Sequence, residues 1–339
     1  MTLKTLTALA ATVLLIGACA TPVPVSDPVP TVPEWHLAIH GGAGVILRES
    51  LSAAQEAEYV AALNMAMEAG AAVLREGGSA VDAVQAAVLP MENSPLFNAG
   101  YGAVFAANGT HELDASIMDG RDRNAGSVAG VMHVKNPILA ARAVMDKSEH
   151  VMFAGAGADA FAESQGLDMV DNTYFDTERR RISLEKVLER RARTAAERHG
   201  TVGAVAIDSQ GNLAAATTTG GMTAKAPGRV GDAPLVGAAT YAENGVCAVS
   251  ATGHGEYFIR VGVAKTICDR VKFLGESVGQ AALVALNEVA SLGGDGGVIV
   301  IDGVGNVDFV FNSAGMYRGE MSADGATTAI FRDQPEGTE

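Results

Sequence analysis

The stretch Gly200–Gly221, GTVGAVAIDSQGNLAAATTTGG, constrains this chain more than any other. Two apolar runs, Val202–Ile207 and Leu213–Thr219, flank the turn-forming segment Asp208-Ser209-Gln210-Gly211-Asn212. Such runs, separated by a Gly/Asn cluster, predict two adjacent antiparallel strands joined as a hairpin. Thr201 opens the first strand directly after a glycine. Inside a chain a threonine hydroxyl is a weak nucleophile. Cutting the peptide bond before it frees an α-amine that can act as its base. That amine titrates near about 7.7–8.0 in peptides, which suits general-base work. Gly200 has no Cβ, so its carbonyl can be strained towards the Thr201 hydroxyl. Spacing alone leaves two readings open, a turn at a strand start and a cleavage site that creates a nucleophile.

The rest of the chain alternates helical and strand patterns. His36–Ile39 reads as a buried strand that stops at the backbone-exposing turn His40-Gly41-Gly42-Ala43-Gly44. Apolar residues recur with a helical period over Leu51–Glu76, and Gly77-Gly78 ends that helix. Ser79 caps a second helix with Asp82 at its third position. Asn93–Gly102 reads as loop, followed by strands around Ala103–Ala107 and Val128–Val134. Asn136-Pro137 starts a third helix. Ser183–His199 is charged and helical. The second half predicts the hairpin, a strand near Val246–Ser250, helices near Tyr257–Lys272 and Ser277–Leu292, and strands at Val298–Ile301 and Val307–Phe311. Helices grouped in each half, with mostly hairpin-connected strands, predict an α/β (α+β) fold whose helices cover antiparallel sheets.

Charge and cysteines narrow the chemistry. A net charge of −15 excludes nucleic acid as a partner, because nothing would neutralise phosphates. A small or dipeptide substrate, gripped by a local positive group, fits instead. Arg229 and Asp232 in GRVGD could grip an α-carboxylate and an α-ammonium on a glycine-rich loop; a surface ion pair is the other reading. With no CxxC or HExxH and scattered histidines, a catalytic metal has no support. Cys247 falls in a strand-like run and Cys268 in a helical one, which predicts buried free thiols. Gly155–Ala160 imitates a dinucleotide fingerprint without the βαβ unit it needs. Gly275-Glu276-Ser277-Val278-Gly279 imitates a nucleophile elbow, but no histidine follows His254, and Ser277 reads as a helix cap.

Residues 1–18 carry Lys4 and then the apolar run Leu6–Ile16, the pattern of a secretion signal. Ile16-Gly17-Ala18-Cys19 resembles a bacterial lipobox, which makes Cys19 a lipidation candidate; ordinary cleavage after Ala18 or Ala20 is the alternative. Residues 19–33 are proline-rich and read as a tether. The expected location is exported and periplasmic, lipid-anchored to the outer membrane.

GTVGAVAIDSQGNLAAATTTGG, followed by GRVGDAPLVGA (228–238) and ATGHGE (251–256), resembles the plant-type (type III) asparaginase/isoaspartyl peptidase family of N-terminal nucleophile hydrolases. HGGAG (40–44), NSPLFNAGYGAVF (93–105) and HELDASIMDG (111–120) fit the same family in the same order. The resemblance runs from about Trp35 to about Arg332 and implies a four-layer αββα sandwich. It implies autocleavage between Gly200 and Thr201, dividing 34–200 from 201–339 as α and β subunits. Thr201 is then the nucleophile, and Thr219 its hydrogen-bonding neighbour. Thr252 and Gly253 form the oxyanion site, and Asn98 lies near the nucleophile. Arg229 and Asp232 hold the free aspartyl end of the substrate. The implied activity is hydrolysis of isoaspartyl dipeptides and L-asparagine. A glycosylasparaginase-like hydrolase and a non-catalytic exported binding lipoprotein are the alternatives. No catalytic cofactor is implied. A structural sodium ion is, held by main-chain carbonyls of Met91, Glu92, Ser94, Phe97, Ala99 and Tyr101. A dimer of α/β heterodimers is also implied. His254 receives no role.

Overall fold

The computed structural model describes residues 34–191 and 200–332. The expected leader, Cys19, the tether and residues 192–199 of the charged helix lie outside the described residues. Among those described, no helix is long and apolar enough to cross a membrane.

The strands are β1 (His36–Gly44), β2 (Leu113–Asp119), β3 (Ala125–Val131), β4 (Met152–Ala154), β5 (Val202–Ile207), β6 (Leu213–Thr219), β7 (Thr240–Glu243), β8 (Cys247–Gly253), β9 (Gly296–Asp302), β10 (Val307–Phe311), β11 (Gly315–Ser322) and β12 (Gly325–Phe331). The helices are α1 (Ala53–Arg75), α2 (Ala80–Glu92), α3 (Pro137–Lys147), α4 (Gly155–Ser164), α5 (Glu178–Arg191), α6 (Gly255–Val261), α7 (Val263–Leu274) and α8 (Val278–Ser291). One sheet has the order β12-β11-β1-β5-β6-β2-β3-β4, and the other β10-β9-β8-β7. Helices α1 to α3 pack on the large sheet, α7 and α8 on the small one, and the two sheets face each other through β1, β5 and β6 against β8 and β9. The result is the αββα order.

The hairpin explains how this sandwich is built. In β5, Val202, Ala204 and Ala206 join the core under α1 and α2, while Val205 and Ile207 join the core between the sheets. A period of two therefore serves two cores at once. The register Val202↔Thr218 to Ile207↔Leu213 closes the hairpin and sets Thr201 opposite Thr219. Helix starts follow their caps. Ser79 Oγ accepts the Asp82 N–H, and Ser277 Oγ accepts that of Gln280.

Several elements differ from expectation. β1 does not stop at His40 but runs to Gly44 through a bulge between His40 and Gly42. Ala103–Ala107 forms an isolated bridge from Ala106 to Lys225. The strand of that region is β2, whose every residue is buried. Asp114 and Ser116 face a buried interface, so the strand's polar face is covered as well as its apolar one. The Tyr257–Lys272 helix is broken at Gly262, which adopts the left-handed conformation at φ 63°. The cysteines are corrected too: α7 packs across β8, which brings Cys247 and Cys268 to a Cα separation of 5.6 Å, joined as a disulfide.

Candidate active site

Thr201 sits just before β5, almost completely buried at 6% exposure. Its hydroxyl donates to Thr219 Oγ1 at 3.2 Å. Thr219 Oγ1 in turn donates to the Gly200 carbonyl at 3.0 Å and accepts the Gly221 N–H at 3.0 Å. A second donor reaches the same carbonyl, the Asn98 Nδ2 at 2.6 Å. Asn98 is itself clamped, because Nδ2 also donates to Gly221 O at 2.6 Å and Oδ1 accepts the Val104 N–H at 2.9 Å. The carbonyl before Thr201 is therefore polarised by two donors while a hydroxyl stands beside it. That is the layout of an acyl-transfer site.

The bulged end of β1 brings Thr252 to this group. A Cβ at Gly42, whose φ is 112°, would lie 3.2 Å from Gly200 Cα and 3.4 Å from Thr201 N. The next N–H, that of Ala43, donates to Thr252 Oγ1 at 3.2 Å. Thr252 is fully buried at the end of β8. Gly253 follows it, and a Cβ there would press on Asp295 O and the Phe258 ring. A cleft of about 860 Å³ opens beside Gly200, walled in part by Gly42, Phe97, Asn98, Thr223 and Tyr317.

Arg229 and Asp232 come together on the loop after β6 but make no hydrogen bond to Thr201, Thr219 or Asn98. Arg229 Nε and Nη2 each donate to Glu256 at 2.9 Å. Gly231 makes room for Nη1, since a Cβ there would lie 2.7 Å from it. Asp232 is 5% exposed, and burial pushes its carboxyl up to about 7 against the opposing influence of its own N–H and Arg229. Its Oδ2 has no hydrogen-bond partner among the described residues, and neither has Asp114 Oδ2 nearby. Gly255 closes this corner, because a Cβ there would come within 2.7 Å of Asp232 Oδ1. His254 Nε2 lies 3.8 Å from Glu256.

The Met91–Tyr101 loop folds back on its own carbonyls. A Cβ at Gly100 would run into Glu92 O, and one at Gly102 into Phe97 O and Ser94 O. Three of the six carbonyls expected to hold sodium thus press against two glycines, Glu92 O against Gly100 and those of Ser94 and Phe97 against Gly102. Oxygen-only donors of this kind suit a hard cation. The Glu92 side chain turns the other way. It accepts from Thr218 Oγ1 at 2.8 Å, Ile138 N at 3.0 Å and Asn136 Nδ2 at 3.1 Å. Burial raises its pKa to about 7 despite these donors.

Sequence reasoning missed four partners. Thr217 and Thr218, taken only as part of the predicted strand Leu213–Thr219, are both hydrogen-bonded across elements. Glu256 pairs with Arg229, and His40 bonds the Thr201 carbonyl at 3.1 Å. His40 and Glu256 stand inside HGGAG and ATGHGE, so the motifs contained the signal without its meaning.

Comparison with known proteins adds an independent line. The family model described as asparaginase matches residues 33–330. The chain is 48% identical over 312 residues to the isoaspartyl peptidase of Escherichia coli (strain K12), covering 88% of this chain and 96% of that protein. It is 49% identical over 308 residues to the isoaspartyl peptidase of Salmonella typhimurium, covering 88% and 98%. The isoaspartyl peptidase/L-asparaginase of Mus musculus is 43% identical over 304 residues, covering 88% and 90%.

Proposed function

This chain belongs to the asparaginase family, and we propose from that premise that it is an isoaspartyl peptidase and L-asparaginase that generates its own threonine nucleophile. The observation that carries the nucleophile is the Gly200 carbonyl, held by Asn98 and Thr219 beside the Thr201 hydroxyl.

In the uncut chain, Thr201 Oγ attacks the Gly200 carbonyl carbon, and the charge on its oxygen falls on the Asn98 N–H and the Thr219 hydroxyl. The C–N bond breaks, the acyl group passes to Oγ, and water hydrolyses that ester. Gly200 departs as a carboxylate and Thr201 is left with a free α-amine. In turnover this amine removes the Oγ proton while Oγ attacks the side-chain carbonyl of a β-aspartyl substrate. The Thr252 hydroxyl and Gly253 N–H serve the new oxyanion. The ammonium formed returns its proton to the departing ammonia or amino acid, and water then frees aspartate from the ester. Asp232, with its unmet oxygen, takes the substrate α-ammonium. Arg229 takes the α-carboxylate through Nη1, the nitrogen that Glu256 leaves unused. A sodium ion on the carbonyls of Met91, Glu92, Ser94, Phe97, Ala99 and Tyr101 would stiffen the loop that carries Asn98.

The direct test is a denaturing gel and intact mass of purified protein. The expected result is two fragments, the second beginning at Thr201. One full-length band with retained activity would refute the mechanism. The junction Gly-Thr favours isoaspartyl peptides and asparagine over glycosylated asparagine, as in the isoaspartyl peptidases that the sequence resembles. Comparing kcat/KM for β-aspartyl-leucine, asparagine and N-acetylglucosaminyl-asparagine checks this, and faster turnover of the last would overturn it. Lipid attachment at Cys19 predicts fatty-acid labelling that Cys19→Ser abolishes. A dimer of heterodimers predicts twice the heterodimer mass by light scattering.

A further inference from the structure

A row of polar positions crosses the inner face of the large sheet. His40, Gly203, Thr217 and Ser116 are successive register partners on β1, β5, β6 and β2. The facing sheet sets Thr240 and Ser250, opposite one another on β7 and β8, against that row. All five polar side chains are fully buried. Gly203 makes the gap they need, since a Cβ there would collide with Ser250 Oγ and His40 Nε2. His40 Nδ1 lies 3.1 Å from the Thr201 carbonyl oxygen, and Nε2 lies 2.9 Å from Ser250 Oγ. The path continues from Ser250 to Thr217 at 2.7 Å and on to Thr240 at 2.5 Å. Ser116 Oγ, 2.8 Å from Thr240, ends it at the carbonyl of Ala233, 2.6 Å away and next to Asp232.

The protons at the His40 end can be assigned from the Thr201 carbonyl. A carbonyl only accepts, so the hydrogen of the ring sits on Nδ1. Burial keeps the ring neutral, its pKa lowered to about 3 although the Thr201 carbonyl pulls the other way. Nε2 therefore accepts from Ser250, whose hydroxyl also lies 3.1 Å from the Ala216 carbonyl. Thr217 then donates to Ser250 and Thr240 to Thr217, and with Ser116 donating to Ala233 the Thr240–Ser116 contact carries no hydrogen. One tautomer satisfies this end of the path.

We infer that His40 is a positioning residue for Thr201, holding its carbonyl through Nδ1–H while Ser250 fixes the ring. The inference rests on the reading of Thr201 as nucleophile. Once Gly200 has left, Thr201 is a chain end, covalently anchored only through its link to Val202, with its hydroxyl bonded to Thr219. The hydrogen bond to its carbonyl survives that cut and restrains the torsion that aims both the amine and Oγ. Small errors of aim are costly in such a reaction. A buried ring with both nitrogens bonded resists them.

Two substitutions separate the ring nitrogens. His40→Asn keeps an N–H near the Nδ1 position and loses the Ser250 link. His40→Gln keeps a group near Nε2 and loses the Thr201 link. With β-aspartyl-leucine and processed protein, His40→Gln is expected to lose about 10- to 100-fold in kcat, with KM and melting temperature near wild type. His40→Asn is expected to stay within about threefold of wild-type kcat, the size of effect expected from losing one neutral hydrogen bond. Ser250→Ala falls between them. Wild-type kcat in the Gln variant, equal losses in both variants, or a loss confined to KM overturns the role. Should the Gln variant fail to process, the ¹⁵N resonances of His40 in the wild type decide, and an unprotonated Nδ1 overturns it. A wild type inert towards β-aspartyl substrates refutes the functional reading and the His40 role together. Active wild type with unaffected variants refutes His40 alone.

Discussion

The two halves of the site are finished to different degrees. Around Thr201, donors and acceptors meet within the chain: Thr219, Asn98, Gly200, Gly221 and Val104 form a closed set. Around Arg229, two buried carboxylate oxygens, on Asp232 and Asp114, stand without a hydrogen-bond partner. Leaving a buried polar atom unmet typically costs about 1–3 kcal/mol. The difference has a chemical sense. A nucleophile that must cut its own chain needs its geometry before any substrate arrives. A clamp gains affinity when the ligand supplies the missing partner. The halves should therefore fail differently.

The largest expected effect lies in the closed half. Thr201→Ala removes the attacking oxygen from both reactions, so the chain should remain one band and turnover should fall by at least about 10⁴-fold. Residual turnover near wild type would show that the nucleophile is elsewhere.

Next come the donors on the Gly200 carbonyl. Asn98→Ala or Thr219→Val removes one, and loss of a single oxyanion donor costs about 10²–10³ in rate. Cleavage, followed by gel over time, should slow by that factor in each variant. Unchanged cleavage in both would mean that the closed half is structural.

In the open half the loss should appear in binding. Arg229→Ala leaves Glu256 only the more distant His254 ring, 3.8 Å away, and removes the carboxylate grip, so kcat/KM should fall about 100-fold, mainly through KM, while chain cleavage continues. Slow cleavage in this variant would erase the contrast between the halves.

The contrast also marks what could be read before the structure. The hairpin that sets Thr201 opposite Thr219 was legible in its two runs, whereas the roles of both residues came from the family resemblance. Asn98 meets Gly200 across 102 residues, and His40 meets Ser250 across 210, so the residues carry no local trace of either contact. Asn98 became readable only through its motif, and His40 was missed. β2 escaped although Leu113 to Ile117 alternate apolar and polar, and its polar face, Asp114 and Ser116, is buried rather than solvated. The Cys247–Cys268 disulfide escaped because a strand and a helix had to be stacked before the two could be neighbours. Glu256 escaped because a pair 27 residues apart depends on where α6 begins.

The smallest effect is a pH dependence confined to the open half. Burial raises the Asp232 carboxyl to about 7, whereas burial lowers the His40 ring to about 3, leaving it neutral at every pH where binding is measured. A ligand ammonium needs Asp232 ionised. Aspartate, which binds without chemistry, should therefore bind more tightly as pH rises to about 7 and level off above it. At pH 6 only about one tenth of Asp232 is ionised, so the Kd should be about tenfold weaker than on the plateau. The stability of the unliganded protein should move the opposite way. A carboxyl whose pKa is raised by folding stabilises the fold while protonated. That contribution is complete below the ordinary carboxylate range and is lost as pH rises through about 7. Glu92, also raised to about 7, shares this trend in stability, so melting alone does not isolate the clamp. The difference between wild type and Asp232→Asn does. Calorimetric titration of both with aspartate from pH 5.5 to 8 should show a slope in the wild type and a weaker, flat affinity in the variant. A parallel slope in both would assign the proton to another group, and the unmet oxygen of Asp232 would then not be the ammonium site.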